Sequence, residues 1–534
     1  MEDGPAEPGS QAESSGPEEG HLARRRFIVA LGFGIASAAL LKRLPDRRRS
    51  VGSTKTTQPA PTTTTRPPTV EVPPSLDDAA GTTVDDRLYD TVITGGRVID
   101  PETGFDAVAH VGINGDSIAR VSLNPLTGRS TVDAAGLVVA PGFIDILSYR
   151  PNGYGDWYKI ADGVTTNLCL HGLDDPVAEF LSETEPLEPP INYGGAVDHY
   201  EHRKDIGVGI QRTDVSQRAQ LLRLAEIDLE AGAIGIHQQP EYTVDLETSE
   251  LVAHGDLAAR YRVPLCVHVR YSENNAPGTQ AEALDEVIGV ARQTGCAIHI
   301  EHINSTGGTG RMTEAIDQLG AAREEGLPIT ACVYPYTSWA TYAASARFRN
   351  FQDKYGISYG DLQVAGTSER LTEATFQVAR AENKLTAAFA MSEEDITGAF
   401  AAPWVMIGSD AILQSHHNNH PRSAGCFSRV LGRYVREQQV LSLTDALARM
   451  TILPARLLEE ASPAMGRRGR LRIGSVADVT VFHPDLIADR ATVADPGQES
   501  EGVVHVMVGG RLVRSGGITD RTVRPGVPIL RGVS

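Results

Sequence analysis

The sequence predicts an α/β protein: a closed (β/α)8 TIM-type barrel carrying a small β-sandwich domain built from both ends of the body. Three observations point there. Between Gly142 and about Leu458, apolar strand-like runs at 142–148, 164–170, 191–198, 232–238, 264–270, 296–302, 328–334 and 404–410 alternate with helical patterns such as 215–229 and 281–292. Strand-rich segments flank that middle on both sides, and neither is large enough to bury a core alone. The length of 534 residues suits a large barrel with an accessory domain.

In chain order, residues 1–44 come first. The opening 1–20 holds acids and no bases, and then Arg24-Arg25-Arg26-Phe27-Ile28 leads a short apolar run to Leu41. Lys42, Arg43 and Arg47 to Arg49 follow. The pattern resembles a twin-arginine export signal, since the run is shorter than the about 20 residues of a membrane span. Ala36-Ser37-Ala38 could be cleaved, or the uncleaved run could stay as a membrane tether. The expectation is export by the twin-arginine machinery to a periplasmic or cell-surface location. Residues 45–88 are rich in Thr and Pro, a composition that buries no core and reads as a disordered linker.

Residues 89–140 supply one half of the small domain. Asp90 to Asp100 reads as two short strands around Gly95-Gly96, and Val108 to Ile113 and Val132 to Val139 continue the pattern. Residues 466–534 supply the other half, with strands at Val476 to Phe482 and Val503 to Val508 and a turn at Gly509-Gly510. The barrel takes residues 141–465.

Composition narrows the function. Hydrophobic residues at 41% and charged residues at 22% are ordinary for a globular enzyme. A formal charge of −19 disfavours a nucleic-acid partner, whose phosphates call for clustered Lys and Arg. The five cysteines fall largely inside apolar runs and read as buried thiols.

Barrels of this kind place chemistry at the C-terminal ends of their strands. Those ends present Leu147-Ser148-Tyr149, His171, His199, His268-Val269-Arg270, His302, Tyr334 and Asp410. Side chains two apart on a strand share a face, which puts Cys266, His268 and Arg270 together and Ile298, Ile300 and His302 together, all toward the interior. His171, His268 and His302 are candidate ligands of one metal ion, because neutral imidazoles bind zinc and three protein ligands leave a position open.

Several blocks resemble the amidohydrolase superfamily. They are the Gly95-Gly96-Arg97-Val98-Ile99-Asp100 segment, the Gly136 to Asp145 entry into the barrel, Trp404 to Asp410, and the return strand Gly474 to Phe482. Tyr334-Pro335-Tyr336-Thr337, His420-Pro421-Arg422, Val430 to Arg436 and Met450 to Arg456 are similar to the N-acyl-D-amino-acid deacylase (D-aminoacylase) branch in particular. The resemblance runs from about Tyr89 to the C-terminus. It implies a metal-dependent hydrolase of non-peptide C–N bonds, with Asp410 as general acid/base. It also implies a lid-like role for the insertion 335–402.

Three positions depart from the branch. Its first strand ends in Asp-x-His-x-His, whereas here the run is Asp145-Ile146-Leu147-Ser148-Tyr149, so a single zinc is expected instead of a pair. Strand two ends in Leu170-His171-Gly172 where the branch has a cysteine; Cys169 is the weaker alternative ligand. Strand four offers no lysine, so the two-metal bridge of hydantoinase-like relatives, outside this branch, has no candidate. Asn304 stands where the branch often has a lysine for the substrate carboxylate, which leaves Arg270 or Arg422 for that task. Tyr149 and His199 are candidate donors to the substrate. The rival expectation is a catalytically altered or inactive relative that only binds a ligand.

Overall fold

The computed structural model describes residues 87–150, 152–273, 278–412 and 419–532. The export-signal reading, and the linker reading as far as residue 86, fall outside them. Among the described residues no helix is long and apolar enough to cross a membrane.

Eight parallel barrel strands follow the predicted runs. They are Phe143–Asp145, Val164–Cys169, Asn192–Gly195 with Val197–Asp198, Ile236–Gln238, Leu265–Val267, Ile298–Ile300, Ile329–Val333 and Val405–Ile407. Strand three joins its neighbours through Ala196 N to Cys169 O and Ile234 N to Gly195 O, both 3.0 Å. Strands eight and one meet through Asp410 N to Leu147 O at 2.6 Å and the parallel bridge of Ser148 with Ala411. These contacts complete the ring.

Helices between the strands start and stop where the sequence supplies caps. Val215–Ala231 opens on Asp214, which exchanges side-chain and backbone hydrogen bonds with Gln217, and Gln280–Thr294 opens the same way on Thr279 and Glu282. Both end on a glycine in the left-handed region, Gly232 and Gly295.

The two cores show which way each strand faces. Ile144, Leu168, Leu170, Ile234, Cys266, Cys332 and Met406 fill the barrel interior. Cys169, Ile236, Val267, Ile298, Ile300 and Ile407 pack outward against the helices. Cys169 therefore faces away from the interior and is no alternative ligand, and Ile298 and Ile300 do not share an interior face with His302. All five cysteines are buried and free.

Both ends of the body form one nine-stranded sheet, in which Val138–Pro141 pairs antiparallel with Val479–Phe482. Its far strand, Ser117–Ser122, returns to bond Ser475 through Ile118 N at 2.8 Å, so the sheet curls over its own core. Two Gly-Gly pairs behave differently here. Gly509-Gly510 makes the expected turn between Val503–Val508 and Arg511–Ser515. Gly95-Gly96 is instead a bulge in one long strand, Leu88–Asp100, where pairing with Phe105–Asn114 shifts register. The last residues also leave the sheet: Ile529 N donates to Tyr193 O at 2.7 Å, and Ile529 joins the barrel's interior core.

The insertion 335–402 builds a three-stranded antiparallel sheet, Trp339–Tyr342, Leu362–Val364 and Leu385–Ala388, with helices Glu373–Ala381 and Glu393–Phe400. Arg347, from a short turn beside it, donates to Ser305 O next to the barrel mouth.

Candidate metal centre

Four strand ends converge on one buried point. His171 comes just after strand two, where Gly172 at φ +127° turns the chain. His268, His302 and Asp410 come just after strands five, six and eight. Donor atoms of His171, His268, Glu301 and His302 all lie within 4.8 Å of one another, and all four residues are buried. The ring of His302 sits 4.9 Å from that of His171 and 4.7 Å from that of His268. Asp410 Oδ1 is 3.4 Å from His171 Nε2. The structure thus brings together the three predicted histidines and the predicted aspartate.

Two residues here were not anticipated. Glu301 is wholly buried; its Oε2 accepts from His171 Nδ1 at 2.5 Å and its Oε1 from His237 Nδ1 at 3.0 Å. Strand alternation explains its direction. Ile300 faces the helices, so Glu301 faces inward, and His302 reaches the same space only because its backbone turns into the left-handed region at φ +27°. The signals were an acid just past the end of strand six and a histidine in strand four.

The donors fit a divalent ion of the zinc type. His268 Nε2 donates to Glu241 Oε2 at 2.6 Å, which leaves Nδ1 as the lone-pair nitrogen; that atom is buried with no hydrogen-bond partner. His302 Nδ1 is equally buried and unpartnered. Burial pushes the pKa of His268 down and that of His302 well down, so both rings are neutral at neutral pH, the form in which an imidazole can bind a metal. Burial opposes ionisation of Glu301, but the charges and hydrogen bonds of His171 and His237 outweigh it and hold the carboxyl below its usual range.

The other predicted residues divide. Arg422 is at the site: Nη2 lies 2.9 Å from Asp410 Oδ2, its guanidinium stacks over the Tyr334 ring at 4.8 Å, and Nε and Nη1 are buried without hydrogen-bond partners. Tyr149 is beside it, its ring edge-on to His171 at 5.3 Å. Burial, then the charge of Asp410, pushes its phenol pKa well up, so it stays a donor. Leu147 belongs to the interior core, with its Cβ packed where a side chain at Gly408 would begin.

Arg270 is not brought to the centre. Strand five ends at Val267, the alternation stops, and the guanidinium makes a two-pronged pair with Glu286 at 2.9 and 2.8 Å. His199 also sits apart, on the helix His199–Asp205, bonded through Nε2 to Glu250 at 2.7 Å. It is the start of a helix rather than the end of a strand, so its side chain leaves the mouth.

Comparison with known proteins agrees with this geometry. An amidohydrolase family model matches residues 236–514. N-acyl-D-glutamate deacylase of Alcaligenes xylosoxydans xylosoxydans is 31% identical over 466 residues, covering 79% of this chain and 93% of the relative. The crystal structure of N-acyl-D-glutamate deacylase from Bordetella bronchiseptica, complexed with zinc and a phosphonate mimic of the tetrahedral intermediate, superposes with a TM-score of 0.73 at 27% identity, covering 83% of this chain and 100% of that one. A D-aminoacylase structure concerned with one-metal activation and second-metal attenuation of a binuclear centre has a TM-score of 0.72 at 25% identity, covering 83% of this chain and 99% of that one. The chain belongs to the amidohydrolase family.

Proposed function

We propose that this chain hydrolyses the amide C–N bond of small N-acyl amino acids, N-acyl-D-amino acids first among them, with one divalent metal ion, zinc by preference, held by His171, His268 and His302. The observation that carries the reading is the convergence of those three rings and Asp410 at one buried strand-end point. The likeness to deacylases, one of them solved with zinc, supports it. Leu147 and Tyr149 in place of a histidine pair support one ion over two.

A bound ion would polarise the acyl carbonyl and acidify the attacking water. The chain's own residues do the rest. Asp410 accepts the proton that water loses as its oxygen bonds the acyl carbon, and returns it to the leaving nitrogen as the C–N bond breaks. Arg422 keeps Nε and Nη1 without hydrogen-bond partners, and either can give a charged hydrogen bond to the substrate carboxylate. Tyr149 keeps its proton and can donate it to the oxygen that gains charge. The resemblance of residues 1–44 to an export signal would, if it holds in function, put this activity outside the cytoplasm.

The test is metal analysis of the purified protein together with hydrolysis of a panel of N-acyl-D- and N-acyl-L-amino acids, with Asp410→Asn as control. One ion per chain and Asp410-dependent release of free amino acid are expected. No metal, and no turnover that Asp410→Asn removes, would leave the ligand-binding alternative.

A further inference from the structure

We propose that Glu301 is the positioning residue of this centre: anchored by His237, it holds the His171 ring with Nε2 turned to the ion, and does not bind the ion itself. The proposal deepens the reading of His171, His268 and His302 as ligands and rests on it.

Distances separate the two roles. Donors that share a tetrahedral zinc with bonds of about 2.0–2.1 Å stand about 3.3 Å apart. His171 Nε2 and Asp410 Oδ1 are 3.4 Å apart, a spacing two neighbouring donors on one ion can keep. His171 Nδ1 and Glu301 Oε2, at 2.5 Å, are at hydrogen-bond distance and too close to be neighbours on one ion. Bound to an ion, the His171 imidazole is neutral and has one N–H. Given to Glu301, it leaves the lone pair on Nε2, the nitrogen that faces Asp410.

The same device recurs at the next ligand. His268 gives its Nε2 proton to Glu241 and keeps Nδ1 free, so two of the three rings are each fixed by a buried carboxylate. Glu301 is in turn held at both oxygens, by His171 and by His237 Nδ1 at 3.0 Å. With no exposure to water and a partner on each oxygen, it has no freedom to swing onto the ion. The resulting line runs Arg422, Asp410, His171, Glu301, His237, entirely through buried side chains.

Glu301→Gln tests this, because the amide oxygen can still accept from His171 Nδ1 while the charge is gone. Glu301→Ala removes the acceptor altogether. Zinc affinity is measured by competition with a chromogenic chelator, and the donor set by the visible absorption of the cobalt(II)-loaded protein; far-ultraviolet circular dichroism shows that each variant is folded. The expected result for Glu301→Gln is one ion per chain, a cobalt spectrum with the wild-type band pattern, and affinity lowered about 10- to 100-fold, with a larger loss in Glu301→Ala. His237→Asn weakens affinity in the same direction by less. A changed cobalt band pattern in folded Glu301→Gln would make Glu301 a ligand and overturn the proposal, and so would unchanged affinity in both Glu301 variants. Failure of the wild-type protein to bind metal would overturn the centre itself, a result distinguishable from either.

Discussion

Arg422 Nη2 lies 2.9 Å from Asp410 Oδ2, and both side chains are buried. The proposed proton-handling carboxylate and the proposed substrate-carboxylate receptor are therefore one unit, with Nη2 committed to Asp410 and to Ala340 O and with Nε and Nη1 left over as separate donors. Arg422→Lys keeps the charge and loses the spread of planar donors that serves Asp410 and the substrate together. Its kcat/KM for N-acyl amino acids should fall about 10- to 100-fold, the worth of one or two charged hydrogen bonds. An acyl amine lacking the carboxylate should be hydrolysed with a smaller loss. Equal losses on both substrates would mean that Arg422 acts only through Asp410.

Metal removal should be visible in stability as well as turnover. The three proposed ligands follow three separate strands and do not exist as a site in the unfolded chain, so an ion bound by them would stabilise the folded state. Zinc at a hundredfold over its dissociation constant should add about 2.7 kcal/mol relative to the apo protein, read as a rise in Tm and reversed by chelator. An unchanged Tm would count against an ion at this position.

The barrel was legible in the sequence because its strands are apolar runs bounded by capped helices, and all eight lie where the runs do. His171, His268, His302 and Asp410 were legible because strand ends are where such barrels display side chains. Errors arose just past those ends. The barrel strands Leu265–Val267 and Ile298–Ile300 are three residues long. Two-residue alternation carried beyond them fails where the backbone turns, as at His302, so Arg270 was aimed inward and Glu301 was missed. Cys169 was misplaced by the same step, since parity counted back from His171 crosses the turn before Gly172. His237 lies in the middle of strand four, not at its end, and so carries no strand-end signal.

Behind Asp410, Lys159 donates to Asp145 Oδ2 and to Ser409 Oγ at 2.7 Å, and Asp145 Oδ1 accepts from Ser409 N at 3.0 Å. This clamp joins strand one to strand eight immediately before Asp410, whose backbone sits at φ +52°. Lys159→Met leaves a wholly buried Asp145 without its cation, which should cost about 3–5 kcal/mol in a urea titration. Adding Asp145→Asn to that variant should recover part of the loss. A cost under about 1 kcal/mol would show that the carboxyl is not held as an anion there.

Asp162, at the end of the helix Gly155–Ala161, ties that helix to Arg422–Arg429 and to Ser500 and gives a pH dependence away from the proposed metal centre. Its carboxylate accepts from Phe427 N and Ser428 N, both at 2.9 Å, and from Ser500 Oγ at 2.8 Å, yet burial outweighs these bonds and pushes its pKa up to about 6 from 3.8. Because the folded value is above the unfolded one, the folded chain holds a proton that the unfolded chain releases between these two values. The contribution to stability is fully present below about pH 4 and is lost as pH rises through about 6, a swing of about 3 kcal/mol. Asp162→Asn cannot titrate. Its stability relative to wild type should therefore rise by about that amount between pH 4 and pH 7, whatever the constant cost of the substitution, as read from urea midpoints at several pH values. A difference that stays flat across that range would show that Asp162 ionises normally in the folded protein.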